Sequence, residues 1–223
     1  MKKRLLSILL FLISANGVYA QSEDLYTKFL QAGYPYRESL QKYTQSRAQH
    51  LQYGSISTRQ ELIVQTKDLL IKRNNLQISY LEYLRFELGR VTNVSEYSHT
   101  VVYLDLEREI DVLKSFFIGL DTKNSFRELR AQLDAWDKKV DGQTDLIQIA
   151  RLQIATAKLI AFQDQVRVLT SDFATGSSVI NLVNDKLTLS RSIIEPNNIG
   201  SLQSSKKLIY DALLLLDDLY KRR

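Results

Sequence analysis

Residues 125–174 decide the fold class and read SFRELRAQLDAWDKKVDGQTDLIQIARLQIATAKLIAFQDQVRVLTSDFA. Apolar or small side chains recur along this segment at a spacing of seven, and a second series fills the offset position between them. The two series comprise Phe126, Leu133, Val140, Ile147, Ile154, Ala161 and Val168, and Leu129, Trp136, Ala150 and Ala157. An apolar residue at about every 3.5 positions predicts an α-helix that packs against partner helices as in a coiled coil.

Gly142 is the only point at which this segment offers a second interpretation. Asp141-Gly142 followed by Thr144 is also typical of a turn and a new helix start. The seam nevertheless keeps its phase, because Val140 and Ile147 are seven residues apart. We therefore expect one long central helix over about 125–174, in which the glycine costs about 1 kcal/mol relative to alanine.

The rest of the chain repeats this helical period between glycines and prolines. Further helices are expected at about 36–53, 57–90, 97–119, 178–194 and 201–222, and a short one at 22–33 ended by Gly33 and Pro35. Capping boxes are predicted at Ser57–Gln60 and Ser125–Glu128. Short connections force neighbouring helices to run antiparallel. The sequence thus predicts an all-α, elongated antiparallel helical bundle, coiled-coil-like, as a single domain over 21–223.

The first twenty residues have the features of a cleavable export signal. Lys2, Lys3 and Arg4 precede an apolar run over 5–13, and small residues lead to Ala20. The alternative is an uncleaved anchor, but the run is too short for about 30 Å of hydrocarbon. We expect cleavage after Ala20, a secreted or periplasmic location, and no stable membrane span in the mature chain.

Composition narrows the range of partners and chemistry. The chain has no cysteine, which excludes disulfides and thiolate ligands. Its 30 basic residues face 25 acidic ones, and three of the basic residues lie in the predicted signal peptide. The mature chain is therefore close to neutral and lacks the concentrated basic face that nucleic-acid binding requires.

Catalytic and metal-binding patterns are weak. Glu96 and His99 have the Glu-x-x-His spacing of carboxylate-bridged metal sites, but such sites need a second copy, and Arg47 precedes the other histidine, His50. Four aspartates spaced three or four apart are interpreted as a solvated helix face rather than a cation site. They are Asp134, Asp137, Asp141 and Asp145. We expect no catalytic residue, no cofactor and no metal, and hence no enzyme.

Tyrosine is abundant, with twelve in the chain. Tyr36, Leu40 and Tyr43 share one face of a predicted helix. Such rings either pack onto a neighbouring helix or form a binding surface, since tyrosine is enriched at interface hot spots. These three residues are the candidate interaction surface.

Together these features favour a non-enzymatic, exported interaction or scaffold protein of the cell envelope that acts through helical faces. Its partners are expected to be envelope proteins or a second copy of itself. Two alternatives stay open: a soluble periplasmic ligand-binding or sensory bundle, and a holdase-like periplasmic chaperone.

Overall fold

Seven α-helices and one short 3₁₀-helix account for most of the residues described in the computed structural model, which are 16–90, 100–170, 178–195 and 198–221. The helices are α1 (Asn16–Tyr53), α2 (Ile56–Gly89), α3 (Thr100–Phe116), α4 (Phe126–Asp141), α5 (Thr144–Thr170), α6 (Ser178–Ser192) and α7 (Ile199–Lys221), with the 3₁₀-helix at Leu120–Thr122. No β-strand occurs in these ranges. The predicted all-α helical bundle is confirmed.

The chain divides into two compact units, which are described separately. Unit 1 comprises Met1–Glu87 and Leu104–Leu146, and unit 2 comprises Leu88–Tyr103 and Ile147–Arg223. The single domain over 21–223 and the elongated overall shape stay predictions.

In unit 1, α1 and α2 form an antiparallel pair. The rings of Phe29 and Tyr80 have centroids 5.0 Å apart near one end of the pair. At the other end, His50 Nδ1 lies 3.2 Å from Thr58 Oγ1. Gly54 makes the turn between the two helices with φ of 58°, a left-handed conformation that glycine adopts without a Cβ clash.

Helix α3 runs antiparallel to both α2 and α4. Arg85 and Glu107 form an ion pair at 3.0 Å between α2 and α3, and Gln132 Nε2 donates to the Phe116 carbonyl, 2.8 Å away, between α4 and the end of α3. Apolar side chains from these helices fill the core of the unit. They are Leu70, Leu120 and Leu129, with Ile63, Ile71, Phe117 and Leu133 packed around them.

In unit 2, α5, α6 and α7 pack around one apolar cluster. Its buried members are Val166, Ile180, Val183, Leu187, Ile209, Ala212 and Leu216. Asn198 starts α7 because its Oδ1 accepts from the backbone N–H groups of Gly200 and Ser201, 3.0 and 3.2 Å away. The hydroxyls of Ser190 and Ser205 lie 3.0 Å apart, buried between α6 and α7.

The prediction of separate helices at 22–33 and 36–53 was wrong, because α1 continues through Gly33 and Pro35. A proline inside a helix removes one backbone hydrogen bond and costs about 3 kcal/mol. Here α1 contacts α2 on both sides of Pro35, through the contacts of Phe29 and His50. This tertiary packing outweighs the local cost.

The prediction of one central helix over 125–174 was also wrong. Helix α4 ends at Asp141, α5 begins at Thr144, and residues 171–174 lie outside the described ranges. Gly142 keeps right-handed helical torsions (φ −65°, ψ −16°), and the Gln143 N–H bonds to the Val140 carbonyl three residues back. Seam residues on both sides of this turn are buried, Leu129 and Trp136 in α4 and Ala150, Ile154 and Ala157 in α5.

Two local predictions also had mixed outcomes. The Ser125–Glu128 capping box is present, but α2 begins one residue earlier than predicted, at Ile56, and its cap lies two residues before Ser57. Ser55 caps it, since its Oγ accepts from the Thr58 N–H, 3.2 Å away. Along α5 the buried face drifts around the helix, so the predicted seam residues Ala161 and Val168 are exposed.

Candidate interaction surface

Helix α1 packs on α2 with one face, here called the inner face, and an adjacent face, here called the outer face, is largely exposed. On the inner face, Ser39 and Ser46 are buried, and their small side chains let the two helices approach closely. The Ser39 hydroxyl has no hydrogen-bond partner there. Near the amino end of α1, the Tyr26 ring is 5.3 Å from that of Tyr83 yet remains 45% exposed. The inner face therefore anchors α1 and leaves the adjacent outer face largely exposed.

The three residues predicted as an interaction surface differ in exposure. Leu40 lies on the outer side with 40% of its surface exposed. Tyr36 and Tyr43 are half-buried and share the three-and-four spacing of the buried Ser39 and Ser46 on the inner face. Of the three residues, only Leu40 therefore belongs to the outer face. Their role in binding stays a prediction.

Larger exposed apolar side chains on α1 were missed by the sequence analysis. Leu30 is 46% exposed, Tyr34 66% and Leu51 76%. The signal was present, because outer-face positions alternate at spacings of four and three. These positions are Tyr26, Leu30, Gly33, Arg37, Leu40, Thr44, Arg47 and Leu51. The expected helix break at Gly33 and Pro35 cut this series in two and concealed it.

Charged side chains flank the outer face in ordered pairs. Lys28 lies 2.8 Å from Asp24, and Lys42 lies 2.8 Å from Glu38, each one helical turn apart. The hydrogen bond and charge of Lys42 hold the pKa of Glu38 below its ordinary value. These pairs are solvent-exposed and contribute little to stability.

Arg37 occupies the middle of the outer face. Its Nε donates to the carbonyl of Gly33, 3.3 Å away, and its guanidinium lies 5.1 Å from the centre of the Tyr34 ring. An arginine held over an aromatic ring covers apolar surface with its planar group. The centre of the face is therefore a flat patch built from one glycine, one ring and one guanidinium.

Other residues considered for chemistry are dispersed or lie outside the described ranges. Glu96 and His99 fall in 91–99, which are not described. Asp137 forms an ion pair with Arg73 at 3.0 Å. In the ranges that the structure describes, no group of three or more histidine or acidic side chains is placed to hold a metal ion.

Among the described residues, no helix combines the length and the apolar character that crossing a bilayer requires.

Comparisons with known proteins gave no match. The chain matches no protein-family model, no curated protein and no solved structure.

Proposed function

We propose that this chain is an exported, non-enzymatic interaction protein of the cell envelope that works through protein–protein contacts on its helical faces. The outer face of α1 is the main contact surface. The observation that carries this proposal is the row of exposed apolar side chains on α1, including Leu30, Tyr34 and Leu51.

The composition of this face supports a protein partner. Exposed tyrosines and an arginine stacked on an aromatic ring are the residue types enriched at the centres of protein interfaces. Ion pairs such as Lys28–Asp24 and Lys42–Glu38 form a polar rim beside the apolar row. An apolar row with a polar rim is typical of a surface that is covered on binding.

Export is supported by the N-terminal sequence. The predicted cleavage point after Ala20 falls inside α1, so the mature chain would begin within that helix and keep the outer face from Glu23 onwards. N-terminal sequencing of the protein recovered outside the cytoplasm checks this proposal. We expect the first residue to be Gln21, and an intact Met1 contradicts it.

Site-specific photo-crosslinking in cells tests the contact surface. A benzophenone amino acid replaces Leu30 on α1 in one variant and Leu182 on α6 in a control variant, since these side chains are 46% and 45% exposed. We expect Leu30 to yield one or two defined protein adducts and Leu182 to yield few.

Each other outcome has a definite meaning. Equal yields from the two positions contradict the assignment to α1. A broad range of unfolded envelope proteins favours the holdase-like chaperone over the scaffold. The absence of any protein adduct from Leu30 contradicts the proposed function itself.

A further inference from the structure

We infer that the outer face of α1 binds the same face of a second copy of this chain, in an antiparallel pair related by a two-fold axis near residue 35. This inference rests on the proposed function and names the partner of its contact surface. It follows from the order of apolar, small and charged residues along α1.

The apolar residues match in one antiparallel register. Outer-face positions follow the alternating four-and-three spacing of a coiled-coil seam, so the two series face each other when helices run in opposite directions. With residue 35 at the axis, Leu30 of one copy faces Leu40 of the other, and Tyr26 faces Thr44. By symmetry each contact occurs twice, as in any isologous interface.

Charges at the two ends of the face match in the same register. Glu23 of one copy faces Arg47 of the other, and both side chains are exposed. In the part of the chain that the structure describes, neither side chain has an ion-pair or hydrogen-bond partner. Glu23 and Arg47 lie at equal distances along the chain from residue 35. In the two-fold pair, each carboxylate therefore faces a guanidinium of the other copy.

The centre of the face is compatible with this pairing. Arg37 of one copy faces Gly33 of the other, and the guanidinium of that copy's own Arg37 lies beside the glycine, 3.7 Å from the position a Cβ would take. Each guanidinium is already held by its own Gly33 carbonyl and Tyr34 ring. The two arginines are thereby kept on opposite sides of the axis, which limits their mutual repulsion.

Other arrangements match less well. Shifting one copy by seven residues along the other places Leu30 opposite Arg47. Shifting it by seven residues in the reverse direction places Leu40 opposite Glu23. A parallel pair places Arg37 opposite Arg37 and Arg47 opposite Arg47. Like charges in direct opposition select against such pairings.

The expected dimer is weak. The matched positions 23–47 span about 36 Å of helix at about 1.5 Å per residue. A contact between two single helices is small beside the standard interface of about 1,200–2,000 Å². We expect a dissociation constant in the micromolar range or above, measured by sedimentation equilibrium on the exported full chain.

Cysteine crosslinking tests the register, because the chain has no native cysteine. The double variant L30C/L40C places the two thiols opposite each other between copies, while positions 30 and 40 of one copy are about 15 Å apart along the helix. We expect disulfide-linked dimers from the double variant and few from L30C or L40C alone. Equally strong crosslinking by L30C alone indicates a parallel pair and overturns the inference.

Charge reversal tests the ends of the face without altering the apolar row. We expect E23R alone and R47E alone to weaken the dimer about tenfold each, and the E23R/R47E double variant to recover the original affinity. Circular dichroism checks that each variant is folded. Failure of the double variant to recover contradicts the pairing.

The photo-crosslinking result separates this inference from the proposed function. Adducts from Leu30 to a different protein, with a monomeric chain at all concentrations, overturn the self-pairing and leave the proposed function intact. The absence of adducts of either kind overturns both.

Discussion

Helices α4 and α5 are separated by two residues but differ in how they bury polar side chains. In α4, the Trp136 Nε1–H donates to Asn74 Oδ1, 3.0 Å away, deep in unit 1. In α5, buried oxygens of Gln153, Thr156 and Gln163 accept no hydrogen bond from the described residues. A buried polar group without a partner costs about 1–3 kcal/mol. Buried polar side chains therefore stabilise the packing where they are paired and destabilise it where they are not.

This difference shows that a buried polar residue has no fixed effect on stability. In unit 1, Asn74 links three helices, because its Nδ2 also donates to the Leu113 carbonyl, 2.9 Å away. A fully paired network of this kind fixes which residues of α2, α3 and α4 lie side by side. In unit 2, the Gln163 amide donates to the Leu187 carbonyl, but its own oxygen has no partner among the described residues. Removing the paired groups of Asn74 should thus have the opposite effect on stability to removing the unpaired groups of α5.

The largest expected effect is that of Asn74→Leu in unit 1. This change leaves the buried Trp136 N–H without an acceptor and removes one bond to the Leu113 carbonyl. We expect the free energy of unfolding to fall by about 3 kcal/mol, measured by chemical denaturation.

Asn124→Leu is the matched control, because Asn124 is exposed and accepts only a surface hydrogen bond from Lys67. We expect it to change stability by less than about 0.5 kcal/mol. If Asn74→Leu were equally mild, the paired network in unit 1 would not be the source of its stability.

A pH titration of stability tests the paired polar network of unit 1 through Glu109, its charged member. Burial alone raises the pKa of Glu109, but hydrogen bonds from Lys139 and Gln143 and the charge of Lys139 outweigh it and hold the pKa below its ordinary value. Lys139 Nζ lies 2.7 Å from Glu109 Oε2. We expect Glu109→Gln to destabilise the protein by about 2 kcal/mol at pH 7.

The sign of the pH dependence follows from the lowered pKa. The stabilisation by the Glu109 carboxylate is fully present above about pH 4.5, the ordinary value. It is lost as the pH falls through the lower pKa of the folded state. We therefore expect denaturation curves of Glu109→Gln and the unchanged protein to converge in acid, and a constant gap down to that range contradicts the assignment.

An effect of opposite sign is expected in unit 2. Thr156→Val replaces a buried hydroxyl, which has no hydrogen-bond partner among the described residues, by a methyl group of similar size. We expect the free energy of unfolding to rise by about 1 kcal/mol. Thr170→Val on the same helix is the control, because the Thr170 hydroxyl donates to the Arg167 carbonyl, 2.6 Å away. A rise with both variants, or with neither, removes the distinction between paired and unpaired hydroxyls.

Features set by neighbouring residues in the chain could be predicted from the sequence. The capping box at Ser125 and the glycine turn at Gly54 depend on side chains within three or four positions, and both are present. The all-α class depends on a period repeated along most of the chain. These signals are local, so one sequence is sufficient to detect them.

Features set by tertiary contacts could not be predicted in this way. Pro35 suggested a helix end, but packing of α1 on α2 on both sides of it keeps the helix continuous. A prediction based on apolar residues alone places Gln153 and Gln163 of α5 on the exposed face, although both are buried. The drift of the buried face along α5 was therefore not predicted. On α1 the expected break at Gly33 and Pro35 divided the exposed series, so Leu40 was assigned to the candidate surface while Leu30 and Leu51 were overlooked.

The smallest expected effect concerns the turn that separates the two helices. Gly142 has ordinary helical torsions, and a Cβ there would lie 3.5 Å from the nearest atom, the Lys139 carbonyl oxygen. We expect Gly142→Ala to raise the free energy of unfolding by about 0.5–1 kcal/mol, because alanine loses less backbone freedom on folding. Gly54→Ala is the control with the opposite sign, since φ of 58° costs a residue with a Cβ about 1 kcal/mol or more.

Hydrogen bonds hold the residue that follows Gly142. Gln143 is buried, its Oε1 accepts from Gln77 Nε2 at 3.1 Å, and its Nε2 donates to Glu109 Oε2 at 2.8 Å. We therefore expect this paired network of unit 1, rather than the glycine, to be what ends α4 at Asp141. If Gly142→Ala is destabilising, glycine itself is required at the turn and the network is not what ends the helix.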